Sequence, residues 1–262
     1  MKGVELKIAM KLKTLKNVIN YISFPILILI IWEIVVRLKI VPLMILPSIE
    51  SIADTFIDEA TSGQLLADVT ISLRRVMEGY LIAVVLGISF GVFMGISSRV
   101  NKFFSLVFDG IRQIPPMAWI PLLILWFGIG ETSKVVIIVK SAFFPILLNT
   151  MSGIKNTPKD YIEVAMLHNI TKFDLFRKVY FPAAIPSIFV GLRLGLGVSW
   201  TVVVAAELIA ATSGIGYRIS DARSLMRADL VIVGMIVIGA VGVLMDNALT
   251  NISKHMIRWQ KA

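Results

Sequence analysis

Four charged residues stand inside stretches that are otherwise apolar: Arg112, Lys140, Arg193 and Glu207. A charge near the centre of a bilayer costs several kcal/mol unless it is paired or faces a cavity. The chemistry open to such a set is passage of a small anion, with Arg193 or Lys140 making a pathway electropositive. The alternatives are structural pairing of Arg193 with Glu207, or snorkelling. Those two residues are about 21 Å apart if they share one helix, too far to pair within it, so a pair would cross to another span or to a second copy. Bond-making chemistry finds little support. The chain has no cysteine, and its two histidines, His168 and His255, lie far apart. No His, Asp or Glu grouping has catalytic or metal-ligand spacing, and no Gly-x-x-x-x-Gly-Lys-[Ser/Thr] phosphate loop is present. The expectation is a chain that is not an enzyme and holds no metal or cofactor of its own.

The most polar ordered stretch is Thr157 to Pro182, TPKDYIEVAMLHNITKFDLFRKVYFP. Thr157-Pro158-Lys159-Asp160 is a helix start, with Thr as N-cap and Pro at the first helical position. Tyr161, Ile162, Ala165 and Met166 then fall at helical spacing. Asn169 follows, and Asn is the non-glycine residue that best tolerates a left-handed C-cap conformation. Thr171-Lys172-Phe173-Asp174 is a second start with the same Thr-x-x-acid spacing. Phe173, Phe176, Val179 and Tyr180 make a second apolar face, until Pro182 restricts the residue before it. The stretch reads as helix, tight turn, helix. A passive connector needs only a few residues, so this one is expected to be a docking element. The alternative is an amphipathic hairpin lying on lipid headgroups.

Glu163-Val164-Ala165, then Asn169, then Val179-x-Phe181-Pro182, resembles the EAA loop of bacterial ATP-binding-cassette importer permeases. The family pattern is Glu-Ala-Ala, three residues, Gly, nine residues, Ile-x-Leu-Pro. Val164 departs from the first Ala, Asn169 from the Gly, and Val179 and Phe181 from Ile and Leu. The spacing is intact, and Asn keeps access to positive φ. Downstream, Pro182 to Gly195 and Ala205-Ala206-Glu207-Leu208-Ile209 are similar to permeases of the nitrate, taurine and alkanesulfonate group. The similarity extends from about Leu73 to the C-terminus. It implies that Glu163, Ala165, Asn169 and Pro182 couple the chain to a cytoplasmic ATP-binding subunit, which binds ATP and Mg. It also implies a second permease copy in a homodimer and an extracytoplasmic substrate-binding protein. The substrate class it implies is nitrate, a sulfonate or taurine, with a vitamin or pyrimidine precursor as the alternative.

The elements that must position these residues are membrane helices. Of 262 residues 57% are hydrophobic and only 16% charged, against about a quarter charged in soluble proteins. The net charge of +9 sits at span ends, where anionic membrane lipid is a better partner than nucleic acid. Residues 1–20 read as a basic N-terminal segment, 21–249 as one transmembrane permease domain, and 250–262 as a tail. The expected fold is all-α, with about six transmembrane helices and the coupling loop between the fourth and fifth. The first span covers roughly Ile22 to Val36 and the second Gly79 to Ile96. The second has a Gly87, Gly91, Gly95 stripe that lets another helix approach closely. The third runs from about Met117 to Ile129 after a kink at Pro115-Pro116. Its freed carbonyls need cover from protein or a cavity. The fourth is Val135 to about Met151, the fifth about Ile185 to Ala211, and the sixth Leu230 to Leu249. Between spans, Ile49 to Glu59 reads as an amphipathic helix capped by Ser48. The acids Glu50, Asp54, Asp58, Glu59 and Asp68 read as a solvated face. Thr212 to Asp229 reads as a polar loop.

Lys and Arg divide about two to one in favour of cytoplasmic N- and C-termini. That places the coupling loop in the cytoplasm of a bacterial or archaeal cell, with the chain multi-pass in its inner membrane. The leading function is therefore the permease subunit of an ATP-driven importer. The alternative is a secondary transporter, which would need midspan ion-coupling carboxylates and commonly inverted repeats. Glu207 is a weak candidate for the first, and no repeat is visible.

Overall fold

The computed structural model describes residues 23–256, all of it helix, turn and short connection. The basic segment 1–20, the first two residues of the domain read as 21–249, and tail residues 257–262 lie outside the described residues. In chain order the helices are α1 (residues 23–37), α2 (Ile49–Thr61), α3 (Gln64–Ile96), α4 (Ser98–Gln113) and α5 (Ile120–Phe127). Then come α6 (Glu131–Lys155), α7 (Lys159–Leu167), α8 (Lys172–Leu175), α9 (Phe181–Ala210), α10 (Ile215–Ser224) and α11 (Ala228–Met256). A 3-10 turn, Pro116–Trp119, precedes α5, and a π turn, Phe176–Tyr180, joins α8 to α9. Among the described residues four helical stretches are long and apolar enough to cross a membrane: Gln64–Ile96, Glu131–Lys155, Lys172–Ala210 and Ala228–Met256.

The centre of the bundle is α6, held between α3 and α9. The stripe read from the sequence is longer than expected. Gly79, Ala83, Gly87, Gly91 and Gly95 recur every fourth residue, and Ile138, Ala142, Ile146, Thr150 and Ile154 of α6 recur at the same step. A Cβ added at Gly79 would lie 2.6 Å from Ile138, at Gly87 2.8 Å from Ile146, at Gly91 2.6 Å from Thr150, and at Gly95 2.8 Å from Ile154. Rows spaced four apart on both helices therefore mesh, and only the missing side chain lets the backbones approach so closely. On its other side α6 meets α9, where Gly191 lies against Asn149 and Gly195 against Ile146. Ala83, Ala142, Ile138 and Ile146 are completely buried at this centre.

The register of these contacts fixes direction. Positions rise together along α3 and α6, so the two helices are parallel. Rising positions on α9 meet falling ones on α6, so α9 is antiparallel. Two parallel spans can be joined only by a segment that returns along the bundle. Residues 97–130 make that return as a broken crossing rather than one span over Met117–Ile129. Pro116–Phe127 is a short apolar stretch, and α4 precedes it. Five phenylalanines, Phe90, Phe104, Phe108, Phe143 and Phe144, hold α4 against α3 and α6, with ring centroids 5.1 to 6.0 Å apart across the set. The break frees the Ile114 carbonyl, and the Lys140 ammonium covers it at 3.0 Å. α1, the described part of the first span, is also apolar and mostly exposed. It is tied to the following segment by Trp32 Nε1 donating to the Pro47 carbonyl at 3.0 Å.

Other expectations change in detail. α3 begins 15 residues before the second span read from sequence: Asp68 and Arg75 in these added turns are buried against other elements, while Arg74 and Glu78 stay exposed. The segment 212–229 is not simply a loop but carries α10. Ser48 caps α2 as expected, its hydroxyl accepting from Ser51 N–H at 3.2 Å. Asp68 is no part of a solvated face: it is buried, accepts from Gly214 N–H at 3.1 Å and binds Arg218 Nε at 2.8 Å. Glu59 is drawn in toward the same arginine, 3.7 Å away.

Candidate functional sites at the two ends of the bundle

The antiparallel packing separates two ends. One holds the N-termini of α3, α6 and α11, the C-terminus of α9, and α10. The other holds the C-termini of α3, α6 and α11 and the segment α7–α8.

The second end carries the helix–turn–helix segment expected from the sequence to be a docking element. Its first helix starts at Lys159, one residue later than Thr157 capping would give. The N-cap is Pro158, with φ −56° and ψ 133°. The Thr157 hydroxyl is instead buried and makes no hydrogen bond. Proline at the cap sets an extended entry by itself, so the threonine is not needed there. Asn169 ends the turn at φ +50°, in the left-handed region. Thr171 caps α8, its Oγ1 accepting from Asp174 N–H at 3.1 Å. Glu163 is exposed and, among the described residues, forms no ion pair. Ala165, one turn earlier than Asn169, is buried beneath α7 at 8% exposure. Around it, Tyr161, Val164, Lys178, Val179, Pro182 and Ala183 line an open cleft of about 420 Å³. Tyr161, Val164, Met166, Leu167 and Phe173 stand exposed, Leu167 at 81%.

Pro182 does not end the second helix. It sits in the first turn of α9, and the chain is helical without interruption from Lys172 to Ala210. The π turn explains this. The Phe181 N–H bonds the Phe176 carbonyl, five residues back. The widened turn makes room before a residue that has no N–H and whose ring crowds the preceding turn.

The first end is built from buried charge. Glu207 is 1% exposed and Arg75 2%. Arg75 Nη1 donates to Glu207 Oε1 at 2.7 Å and to the Ser213 carbonyl at 2.8 Å. Its Nε and Nη2 each hold an oxygen of Glu131 at 2.6 Å. Glu207 also accepts from Ser72 Oγ at 2.8 Å and from Gly216 N–H at 3.0 Å. Gly214 and Gly216 are required here, since a Cβ on Gly214 would meet the Glu207 carboxylate at 2.5 Å and one on Gly216 the Val204 carbonyl at 2.5 Å. One arginine thus ties together α3, α6, α9 and the turn before α10. Arg75 reads from the sequence only as a charge near a span end. The legible signal was an acid at the end of a span followed by Ser213-Gly214-Ile215-Gly216.

The remaining charges have separate surroundings. Arg193 binds Asp246 of α11, Nη2 to Oδ2 at 2.6 Å. Arg112 binds Asp109 within α4 at 3.0 Å. Lys140 has the Ile114 carbonyl and the face of Trp119, 5.2 Å from the ring centroid. The four pathway candidates are not brought together. Arg112 and Lys140 share the wall of one cleft of about 440 Å³, Arg193 lines two others, and Glu207 is sealed. Gly87, Gly91 and Gly95 pack α3 onto α6. No group of three or more metal-ligating side chains exists among the described residues.

Comparison with known proteins bears on the family and the fold. Residues 83–258 match the family described as binding-protein-dependent transport system inner membrane component. The chain is 40% identical to a putative ABC transporter permease of Methanocaldococcus jannaschii, over 99% of this chain and 97% of the relative. It is 35% identical to a putative aliphatic sulfonates transport permease of Bacillus subtilis, over 91% of this chain and 86% of the relative. It is 34% identical to a nitrate import permease of Leptolyngbya laminosa, over 75% of this chain and 71% of the relative. Among solved structures, an amino acid ABC transporter chain superposes with a TM-score of 0.63 at 17% identity, covering 78% of this chain and 97% of that one. At that identity the likeness concerns the fold.

Proposed function

We propose a mechanical role for this chain from the fact that it belongs to the family of binding-protein-dependent transport system inner membrane components. It is the permease subunit of an ATP-binding-cassette importer, not an enzyme, and ATP hydrolysis belongs to a separate ATPase subunit. A substrate-binding protein is its other partner. ATP and Mg are bound by the ATPase. We take the assembly to contain two copies of this chain in the cytoplasmic membrane, with the α7–α8 end and both termini in the cytoplasm. The Lys and Arg distribution supports that orientation.

The observation that carries the mechanism is the continuity of Lys172–Ala210. α7 presents exposed apolar side chains and Glu163 to a groove on the ATPase. Ala165 keeps α7 close to the π turn, and Asn169 sets the reversal into α8. Because α8, the π turn and α9 form one helical rod, movement of α7 by the closing ATPase reaches the membrane without a flexible joint. Alternation between inward-open and outward-open states is then a rigid-body event. Glu207 serves the framework at the opposite end rather than a pathway. The names of the relatives support a small anion as cargo, of the sulfonate, taurine or nitrate class.

Charge reversal by Glu163→Lys tests the docking assignment. The expected result in reconstituted vesicles is loss of uptake and of substrate-stimulated ATP hydrolysis, with the permease folded and inserted. Unchanged coupling would remove α7 from the mechanism.

A further inference from the structure

Most charges along the spans are neutralised by a partner: Arg75 by Glu207 and Glu131, Arg193 by Asp246, Arg112 by Asp109. Lys140 is the exception. It lies well inside α6, away from both ends, and no carboxylate comes within ion-pair reach among the described residues. Its two contacts are the Ile114 carbonyl and the Trp119 ring. A carbonyl dipole and a ring quadrupole fix the position of an ammonium without cancelling its charge. One of its three donors is used by the carbonyl, and two remain.

The cleft beside it is walled by Arg112, Gln113 and Pro116 of the broken crossing, by α6, and by Leu194 and Val198 of α9. Its volume of about 440 Å³ leaves room for a small anion with part of its water shell. Its polar wall offers little else to grip a ligand. Asn149 uses one of its two amide N–H groups on the Pro145 carbonyl at 2.8 Å, and Ser141 its hydroxyl on the Ile137 carbonyl at 2.7 Å, which leaves the second Asn149 N–H and the Gln113 amide as the neutral donors of the wall. Arg112 is neutralised by Asp109. The cleft therefore carries one net positive charge and few neutral donors. Ionisable residues inside a membrane are retained where they face a cavity and serve a pathway.

We propose that this cleft is an intramembrane station for a small monovalent oxyanion, held by charge at Lys140. The proposal rests on the importer reading and adds to it the site and the means of recognition. Charge with few directed donors attracts any small oxyanion and discriminates poorly among them. Selection among oxyanions is then left to the substrate-binding protein.

The test uses the complete importer, permease with its ATPase and binding protein, in proteoliposomes given nitrate, ethanesulfonate or bicarbonate. For whichever anion the unaltered assembly carries, Lys140→Gln is expected to lower ATP-driven uptake about tenfold, and Lys140→Arg to keep most of it. Because Lys140 also covers the Ile114 carbonyl, a second variant separates charge from structure. Gln113→Glu leaves that bond intact and places a carboxylate in the wall. It is expected to lower uptake about fivefold, while Gln113→Ala, which adds no charge, lowers it far less. Full uptake by Lys140→Gln or Gln113→Glu would overturn the station, as would a loss that Lys140→Arg does not restore. An assembly whose ATPase responds to its binding protein but that carries none of the three anions also overturns it, and leaves the importer reading intact. Uptake without ATP would instead overturn the importer reading.

Discussion

Arg75 and Leu167 mark the two ends of this bundle. Arg75 is 2% exposed and donates to Glu131, Glu207, and both the carbonyl and hydroxyl of Ser213. Leu167 is 81% exposed, on a nine-residue helix with a single buried residue. The Arg75 cluster satisfies its buried polar groups internally, while Leu225 and Met226 at the same end stay exposed. The Leu167 end leaves apolar side chains and a free carboxylate uncovered. A helix this short has little stability alone, so it depends on its packing against the π turn and on what covers its outer face. The difference teaches where buried and uncovered contacts are divided: at the first end one arginine holds four elements together, and at the second a short helix keeps its apolar outer face uncovered.

Substitutions can break that contrast. The largest expected effect is Arg75→Met, which strands the Glu207 carboxylate without its cation. Loss of one partner of a buried ion pair costs about 3–5 kcal/mol. The detergent-solubilised protein should unfold at a markedly lower temperature, with the α7–α8 end unaffected until the bundle itself opens. Next is Gly91→Leu at the centre, where a Cβ would already meet Thr150 at 2.6 Å. Overpacking of this kind costs about 1–3 kcal/mol, read as lower thermal stability and poor membrane yield. Asn169→Val is expected to cost about 1–2 kcal/mol, the penalty for a left-handed residue with a branched Cβ, whereas Asn169→Gly should be neutral or better. Its signature is loss of ATPase coupling at near-normal melting temperature, which sharpens the contrast. The smallest effect is Thr171→Ala, about 1 kcal/mol from a lost N-cap. Increased proteolysis confined to residues 168–175 would report it. A global fall in stability from either loop variant would contradict the separation of the two ends.

What was legible in the sequence was local. The caps at Ser48 and Thr171, the left-handed Asn169 and the close-approach glycines each follow from a residue's own chemistry and its near neighbours. The all-helical membrane fold and its four long spans were legible because long apolar runs leave few alternatives. The demand that the Pro115-Pro116 break be covered was also readable, though the group that covers it, Lys140, was not. Long-range pairing was hidden. Asp68 and Arg218 are 150 residues apart, and Arg75 and Glu207 are 132 apart. The sequence marks Asp68 as part of a solvated face, Arg75 and Arg218 as charges at span ends and Glu207 as a charge within a span, and only the packing of α3 against α9 and α10 shows which of them meet. Thr157 and Pro182 misled for a related reason. Each carries a strong local signal, and each is overridden by its surroundings, one by the proline after it and the other by an extra residue in the preceding turn.

The toothed seam between α3 and α6 also limits how the protein can move. Isoleucines and a threonine sit in notches spaced one every fourth residue, about 6 Å along the axis. Sliding by any fraction of that distance would drive branched side chains into backbone, so the seam admits whole notches or nothing. The two helices therefore travel as one plate, and any rearrangement within the bundle has to leave that plate whole.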